Sequence, residues 1–146
     1  MLFDTFLETQ MNYSALNTDD LFVIVITETG LVFHKLSPDE TPFDVAKSLG
    51  GINLAEVVKF AGHPGFCGLI SEEGKIDELG LNRVATNMYD CRPDYIAGPM
   101  VICSDDVDLT GLNFSDAGLR VRDFVKHALI EFFNENKPKQ KPATSL

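Results

Sequence analysis

The sequence predicts a small α+β domain with a mixed, mostly antiparallel sheet of about five strands and a long C-terminal helix packed on it. Short runs of β-branched residues recur between turn signals, and the clearest is the apolar run at 21–27. A wide apolar stripe with helical spacing follows at 115–136. The chain has 146 residues, enough for one domain that folds without a metal or a disulfide.

The strands follow from apolar runs between turn-forming residues. Nearly continuous apolarity at 21–27 favours a strand that is covered on both faces, and the run at 31–36, after Gly30, completes a hairpin with it. Further strands are predicted at 56–60, 66–70 and 95–103. Within the last run, Gly98-Pro99 indicates a bulge or an edge position. The segment Glu72 to Lys75, with Gly74, is typical of a hairpin turn.

Three helices are predicted from capping residues and spacing. Thr41 caps the first, with Pro42 at its first position and Gly50-Gly51 after its end. The second covers 81–89, and Ser115 caps the third, which runs to about Asn136 with Asp116 in its first turn. The residues expected on the buried faces are Phe43, Val45, Ala46 and Leu49 in the first helix, Val84, Ala85 and Met88 in the second, and Leu119, Phe124, Ala128, Leu129, Phe132 and Phe133 in the third.

The chain divides into three parts. Residues 1–20 are an N-terminal arm or short helix, residues 21–136 a single α+β domain, and residues 137–146 a disordered basic tail. The phenylalanines of the long helix either cover the sheet or also form a homo-oligomer contact, and the sequence leaves both open.

The composition excludes several classes of partner. The net charge is -10, from 22 acidic and 12 basic residues, which argues against direct binding to nucleic acid and against docking to anionic membranes. The acidity serves solubility, or it imitates nucleic acid for a basic partner. Asp4 and Glu8 stand where a secretory signal would be basic, so we expect a cytoplasmic protein with reduced thiols.

No catalytic group, metal site or cofactor is predicted. Cys67, Cys91 and Cys103 form no C-x-x-C unit, so Cys67 and Cys103 are expected to be buried apolar residues, and His63 near Cys67 is not a diagnostic metal spacing. The acidic run 105–108 begins like a calcium loop but lacks the glycine and the glutamate that such a loop requires.

The predicted ligand site lies where the second helix begins. Asn82 and Arg83 follow Gly80, and a helix start with a guanidinium offers donors to a phosphate or carboxylate. Arg92 lies just beyond the same helix, and His63 completes the ligand-binding candidates. The structural alternative is that Asn82 only caps the helix while Arg83 pairs with a local acid, Asp77 or Glu78.

Residues 50–103 resemble a family of phage, plasmid and bacterial proteins, the domain of unknown function 3846. Four short segments carry the resemblance: Gly50-Gly51-Ile52 before Glu56-Val-Val-Lys-Phe60, Leu69-Ile-Ser-Glu-Glu-Gly-Lys75, Leu81-Asn-Arg-Val-Ala85, and Tyr95-Ile-Ala-Gly-Pro-Met-Val-Ile102. The resemblance implies no known reaction. It suggests an accessory gene of a phage or mobile element, and hence the host cytoplasm as its location.

Three functional hypotheses follow. The first is a non-enzymatic binding protein for host takeover or counter-defence that sequesters an anionic small molecule such as a nucleotide. The second is an acidic inhibitor of a host protein, acting as a nucleic-acid mimic. The third is a small enzyme whose site is assembled from distant residues such as His63, Cys67 and Arg83.

Overall fold

The computed structural model describes residues 16–28, 30–91, 93–116 and 118–136, and it confirms the α+β class. The predicted N-terminal arm falls largely, and the basic tail entirely, outside the described residues. The strands are β1 (Phe22–Ile26), β2 (Leu31–Lys35), β3 (Ala55–Lys59), β4 (Phe66–Ser71) and β5 (Met100–Ser104). The helices are α1 (Pro42–Ser48), α2 (Arg83–Tyr89) and α3 (Val121–Asn136).

The five strands form one sheet in the order β2-β1-β5-β4-β3. Every neighbouring pair is antiparallel, so the sheet is wholly antiparallel rather than mixed. In the middle of the sheet, Val101 of β5 lies opposite Val25 of β1 on one side and opposite Leu69 of β4 on the other. Strand β5 is the last of the five strands in the sequence and occupies the centre of the sheet.

Helices cover both faces of the sheet. Because side chains alternate along a strand, Ile24 and Ile102 point to the face that packs with α2 and α3, while Val25 and Val101 point to the face that packs with α1. This arrangement explains why every residue of β1 is buried, as its unbroken apolarity predicted. No helix in the described ranges has the length and apolarity that crossing a membrane requires.

Helix α1 begins as predicted, but its buried face is narrower. Thr41 accepts a hydrogen bond from the backbone of Asp44 and donates its own backbone N–H to the Asp44 carboxylate, which completes a capping box. Val45 is buried, whereas Phe43 and Leu49 are 44% and 52% exposed, so these two predictions were wrong. With about two turns, α1 covers only the central strands, and flanking positions on its surface stay in solvent.

The segment after β4 is not a hairpin turn. Residues 72–78 form a continuous run of turns that leads to α2, and the hairpin partner of β4 is the preceding strand, β3.

The Gly98-Pro99 pair does not lie at an edge of the sheet. Pro99 precedes the first residue of β5, which is the central strand and not an edge, so the missing proline N–H costs the sheet no ladder hydrogen bond.

The long helix starts five residues later than predicted, at Val121 rather than directly after Ser115. The Ser115 backbone N–H donates to Asn113 Oδ1 over 2.7 Å, and Asp116 Oδ1 accepts from the backbone of Leu119 over 3.2 Å. Arg120 has a φ of 51°, which breaks the helical path just before α3. Ser115 and Asp116 therefore belong to a compact turn and not to a helix cap and first turn.

Candidate functional site

A polar cavity of about 490 Å³ lies between helices α2 and α3 and the turn that follows β3. The turn contributes Gly62 and His63, the second half of α2 contributes Asn87, and α3 contributes His127 and Glu131. Sites for small molecules usually have volumes of about 300–1,000 Å³ and a few convergent polar groups. The size and lining of this cavity make it the best candidate for a binding site.

His63 is held in place by aromatic packing. Its ring stands edge-on to Phe124, with centroids 5.0 Å apart and planes at 87°. Phe124 in turn stacks on Phe66 of β4, with centroids 4.1 Å apart and planes only 6° from parallel. The His63 backbone N–H donates to the carbonyl of Phe60 over 3.1 Å, which closes the turn. The imidazole is therefore positioned by the core and not by a polar partner.

His127, three residues after Phe124 on α3, also lies next to the His63 ring. The two ring centroids are 5.1 Å apart, and the planes are tilted by 33°. No hydrogen bond joins either ring to another residue in the described part of the chain. His34 differs, since its Nε2 lies 2.8 Å from the Glu40 carboxylate. The cavity thus holds two imidazoles whose nitrogens are available to a ligand.

The electrostatics of the cavity keep His63 uncharged. Burial lowers the pKa of His63 below its usual value, and the nearby His127 lowers it further. The charged side chains among the lining residues are Asp90 and Glu131, both negative. With His63 uncharged, Asp90 and Glu131 make the described lining negative, which disfavours an anion there.

Helices α2 and α3 are tied together beside the cavity. Asn87 Nδ2 donates to Glu135 Oε1 over 2.9 Å. Asp90 ends α2 in the left-handed conformation, with a φ of 47°.

A second cavity of about 420 Å³ adjoins the first, shares Gly62 and His63 with it, and is also lined by Arg120 and Asp123. His63 therefore borders both spaces, and only the second contains a described cation.

Asn82 serves the framework. Its side chain is fully buried, and Oδ1 accepts from the backbone N–H of Ala85 over 3.1 Å, so Asn82 caps α2. The Nδ2 group donates to the carbonyls of Ile26 and Gly98 over 3.0 and 2.9 Å. Both amide hydrogens and the amide oxygen are engaged within the fold, which leaves no group for a ligand. Asn82 therefore caps the helix and does not bind a ligand, as the structural alternative in the sequence analysis stated.

Arg83 is exposed at the first position of α2 and is not among the residues that line the cavity. The predicted local partners do not hold it, because no salt bridge joins Arg83 to Asp77, Glu78 or another acid within the described ranges. Arg92 lies outside the described residues. The structure thus separates His63, which borders the cavity, from Asn82 and Arg83.

The distant residues of the enzyme hypothesis do not converge either. Cys67 belongs to the cluster on the α1 face of the sheet, whereas the ring partner of His63, Phe124, belongs to the cluster on the opposite face. In the acidic loop, Asp106 accepts hydrogen bonds from Thr110, and Asp105 pairs with Lys59. Across the described residues, no three His, Cys, Asp or Glu side chains are grouped so that they could hold a metal ion.

Sequence reasoning missed His127, Glu131 and Asp90 as site residues. His127 and Glu131 are four apart on α3 and therefore share a helix face, which the sequence does show. No local sequence pattern indicates that they lie near His63, because that proximity depends on how α3 crosses the turn after β3.

Neither a protein-family model, nor a curated protein, nor a solved structure matches the chain. The resemblance to the phage, plasmid and bacterial family remains an expectation from the four short segments.

Proposed function

We propose that this protein is a non-enzymatic binding protein that holds a small polar molecule between His63 and His127. The observation that carries the proposal is the pair of closely spaced imidazoles with no hydrogen-bond partner among the described residues, facing a cavity of about 490 Å³. No buried side-chain polar atom of the described residues lacks a partner, so these ring nitrogens are reached by solvent, and a ligand in the cavity can replace the water that binds them.

Charge defines the class of ligand. Asp90 and Glu131 are the charged groups among the described lining, and the pKa of His63 is lowered, so the site carries negative charge at neutral pH. A neutral or cationic molecule with both donors and acceptors fits this lining, since each neutral imidazole offers one N–H and one acceptor nitrogen. A polyanion such as a nucleotide fits it poorly.

The binding site can be tested by chemical-shift mapping on the full chain. Polyamines, amino-acid amides and nucleosides are the probes, with nucleotides as the anionic comparison. We expect a neutral or cationic probe to shift the amides of 61–63 and 86–90 together with the ring signals of both cavity histidines. His63→Leu keeps an apolar side chain against Phe124 and should abolish the shifts, while the matched variant His34→Leu, which removes the Glu40 contact, should preserve them.

Native mass spectrometry of the protein purified from its own cells gives the complementary measurement, because a retained molecule is identified by its mass. The proposal is wrong if the protein carries no small molecule and none of the neutral or cationic probes perturbs the cavity signals.

A second candidate ligand is an anion held by Arg83. The observation that favours it is that this exposed guanidinium forms no salt bridge within the described ranges. Nucleotides should then raise the melting temperature, and Arg83→Ala should remove the rise. Lys126→Ala deletes another exposed positive charge, on α3, and is the matched control. If both variants lose the effect equally, the nucleotide responds to net charge and not to Arg83.

The biological setting we propose is host takeover or counter-defence, and its support is the family resemblance alone. The inhibitor hypothesis, in which the acidic surface binds a basic host protein, predicts binding that weakens steeply with salt. Affinity that stays constant between low and high ionic strength would exclude that possibility.

A further inference from the structure

Two cysteines face each other across the centre of the sheet. Cys67 of β4 is paired with Cys103 of β5 in the strand register, and their Sγ atoms are 3.6 Å apart. Both side chains are fully buried, in the cluster that packs against α1. The third cysteine, Cys91, is exposed, so the chain carries one accessible thiol and one enclosed dithiol.

We propose that Cys67 and Cys103 are an oxidation site at which hydrogen peroxide forms a reversible cross-strand disulfide. A disulfide needs an Sγ–Sγ distance of about 2 Å and Cβ atoms about 3.5–4.5 Å apart. Directly opposite residues of antiparallel strands have Cβ atoms about 4.5–5.5 Å apart. A rotation of the two thiols and a small approach of the strands therefore suffice, without any change of register.

The two thiols are not equivalent. The hydrogen bond with Cys103 lowers the pKa of Cys67, whereas the same contact, together with burial, raises the pKa of Cys103. In the proposed reaction Cys67 is therefore assigned as the nucleophile and Cys103 as the thiol that donates to its thiolate.

The reaction follows from these roles. The Cys67 thiolate attacks one peroxide oxygen and breaks the O–O bond, which gives a sulfenic acid and a hydroxide ion that takes up the proton lost by Cys67. Cys103 sulfur then attacks the Cys67 sulfur, forms the S–S bond and releases a second water, as its own proton leaves with the sulfenic oxygen. Two thiols and one peroxide yield one disulfide and two waters, and a dithiol reductant reverses the oxidation of the protein.

Access to the pair requires a local opening. Helix α1, which has seven residues, covers this face of the sheet. Short elements with few contacts open more readily than the rest of a fold. Oxidation of the pair should therefore be slower than oxidation of exposed Cys91, which provides a control within the same chain.

The experiment treats the full native chain with hydrogen peroxide, blocks free thiols in denaturant and maps the peptides. We expect a peptide linked through Cys67 and Cys103, with two hydrogens lost per chain and full recovery of both thiols in dithiothreitol. In a Cys91→Ser background, which removes coupling between chains, the oxidised protein should melt higher by roughly 5 °C or more, because the link closes a long loop of the unfolded chain.

Cys103→Ser in the same background keeps a hydroxyl donor beside Cys67 but cannot form the link, so it should accumulate the sulfenic acid at Cys67, which a dimedone-type reagent traps. The proposal is overturned if peptide maps of the native chain show Cys91 oxidised to completion while Cys67 and Cys103 both remain free thiols. It is equally overturned if either cysteine pairs only with Cys91.

Discussion

The imidazole rings of His63 and His127 lie with their centroids 5.1 Å apart, closer than two positive charges are readily accommodated in a partly buried site. His63 comes from a turn between strands and His127 from the middle of α3. Their spacing therefore contributes to the lowered pKa of His63.

Acidification should destabilise the protein through His63. In the unfolded chain His63 takes up a proton near the usual histidine pKa of 6.5, whereas burial and His127 hold the folded pKa below that value. Between the folded pKa and 6.5 the unfolded state binds more protons, so the free energy of unfolding falls as pH drops through that window. Urea denaturation from about pH 7.5 to about pH 5 measures this fall.

An NMR titration separates the causes. His127→Gln removes the neighbouring charge and should move the His63 pKa upward, yet not fully to its usual value because burial remains. A His63 pKa at or above its usual value in the unmodified chain would contradict this account.

Asn82 should be among the most sensitive polar residues. Asn82→Ala removes the cap of α2 and leaves the carbonyls of Ile26 and Gly98 without their donor, so we expect a loss of about 2–4 kcal/mol in the free energy of unfolding. Asn87→Ala, which deletes an exposed hydrogen bond to Glu135, should cost about 1 kcal/mol or less. Chemical denaturation of the two variants makes the comparison.

Asn82→Asp distinguishes the two roles of this side chain. The carboxylate can still cap α2, but it places negative charge beside two carbonyl oxygens. A variant as stable as the unmodified chain would show that the two donated hydrogen bonds contribute nothing.

Gly68 leaves no room for a side chain in β4. A Cβ at this position would lie 2.7 Å from Met100 Sδ and 3.1 Å from Val58 Cγ2. Gly68→Ala should therefore cost about 1–3 kcal/mol in the free energy of unfolding, through overpacking between interior strands. Gly62→Ala is the matched control, because nothing lies within 4 Å of its added Cβ.

A double-mutant cycle with Met100→Ala identifies the source of the Gly68 effect, since removing the Met100 side chain should recover part of the loss. Equal stability of the two glycine variants would mean that β4 shifts freely, against the packing described.

Local signals predicted much of the fold. The unbroken apolar run of β1 indicated burial on both faces, and Thr41-Pro42 identified the start of α1, because capping depends on residues only three positions apart. The buried face of α2 was also predicted, since Val84, Ala85 and Met88 are adjacent on one helix surface.

The predictions that were wrong concern features that depend on contacts between distant parts of the chain. The exposure of Phe43 reflects how much of the sheet a short helix covers, which residue type does not reveal. The late start of α3 results from a turn closed by Asn113 and Asp116 side chains, and these residue types also occur at helix caps. The candidate cavity depends on His63 meeting His127, for which the sequence contains no spacing rule.

The position of β5 has a consequence for synthesis. In the sheet formed by the described residues, the hairpins β1–β2 and β3–β4 are hydrogen-bonded to each other only through β5, whose last residue is Ser104. During translation the two hairpins can form early, but they remain separate, with unpaired inner edges, until the ribosome has released the segment that joins them. Chaperone contacts on the nascent chain should therefore be concentrated before that point.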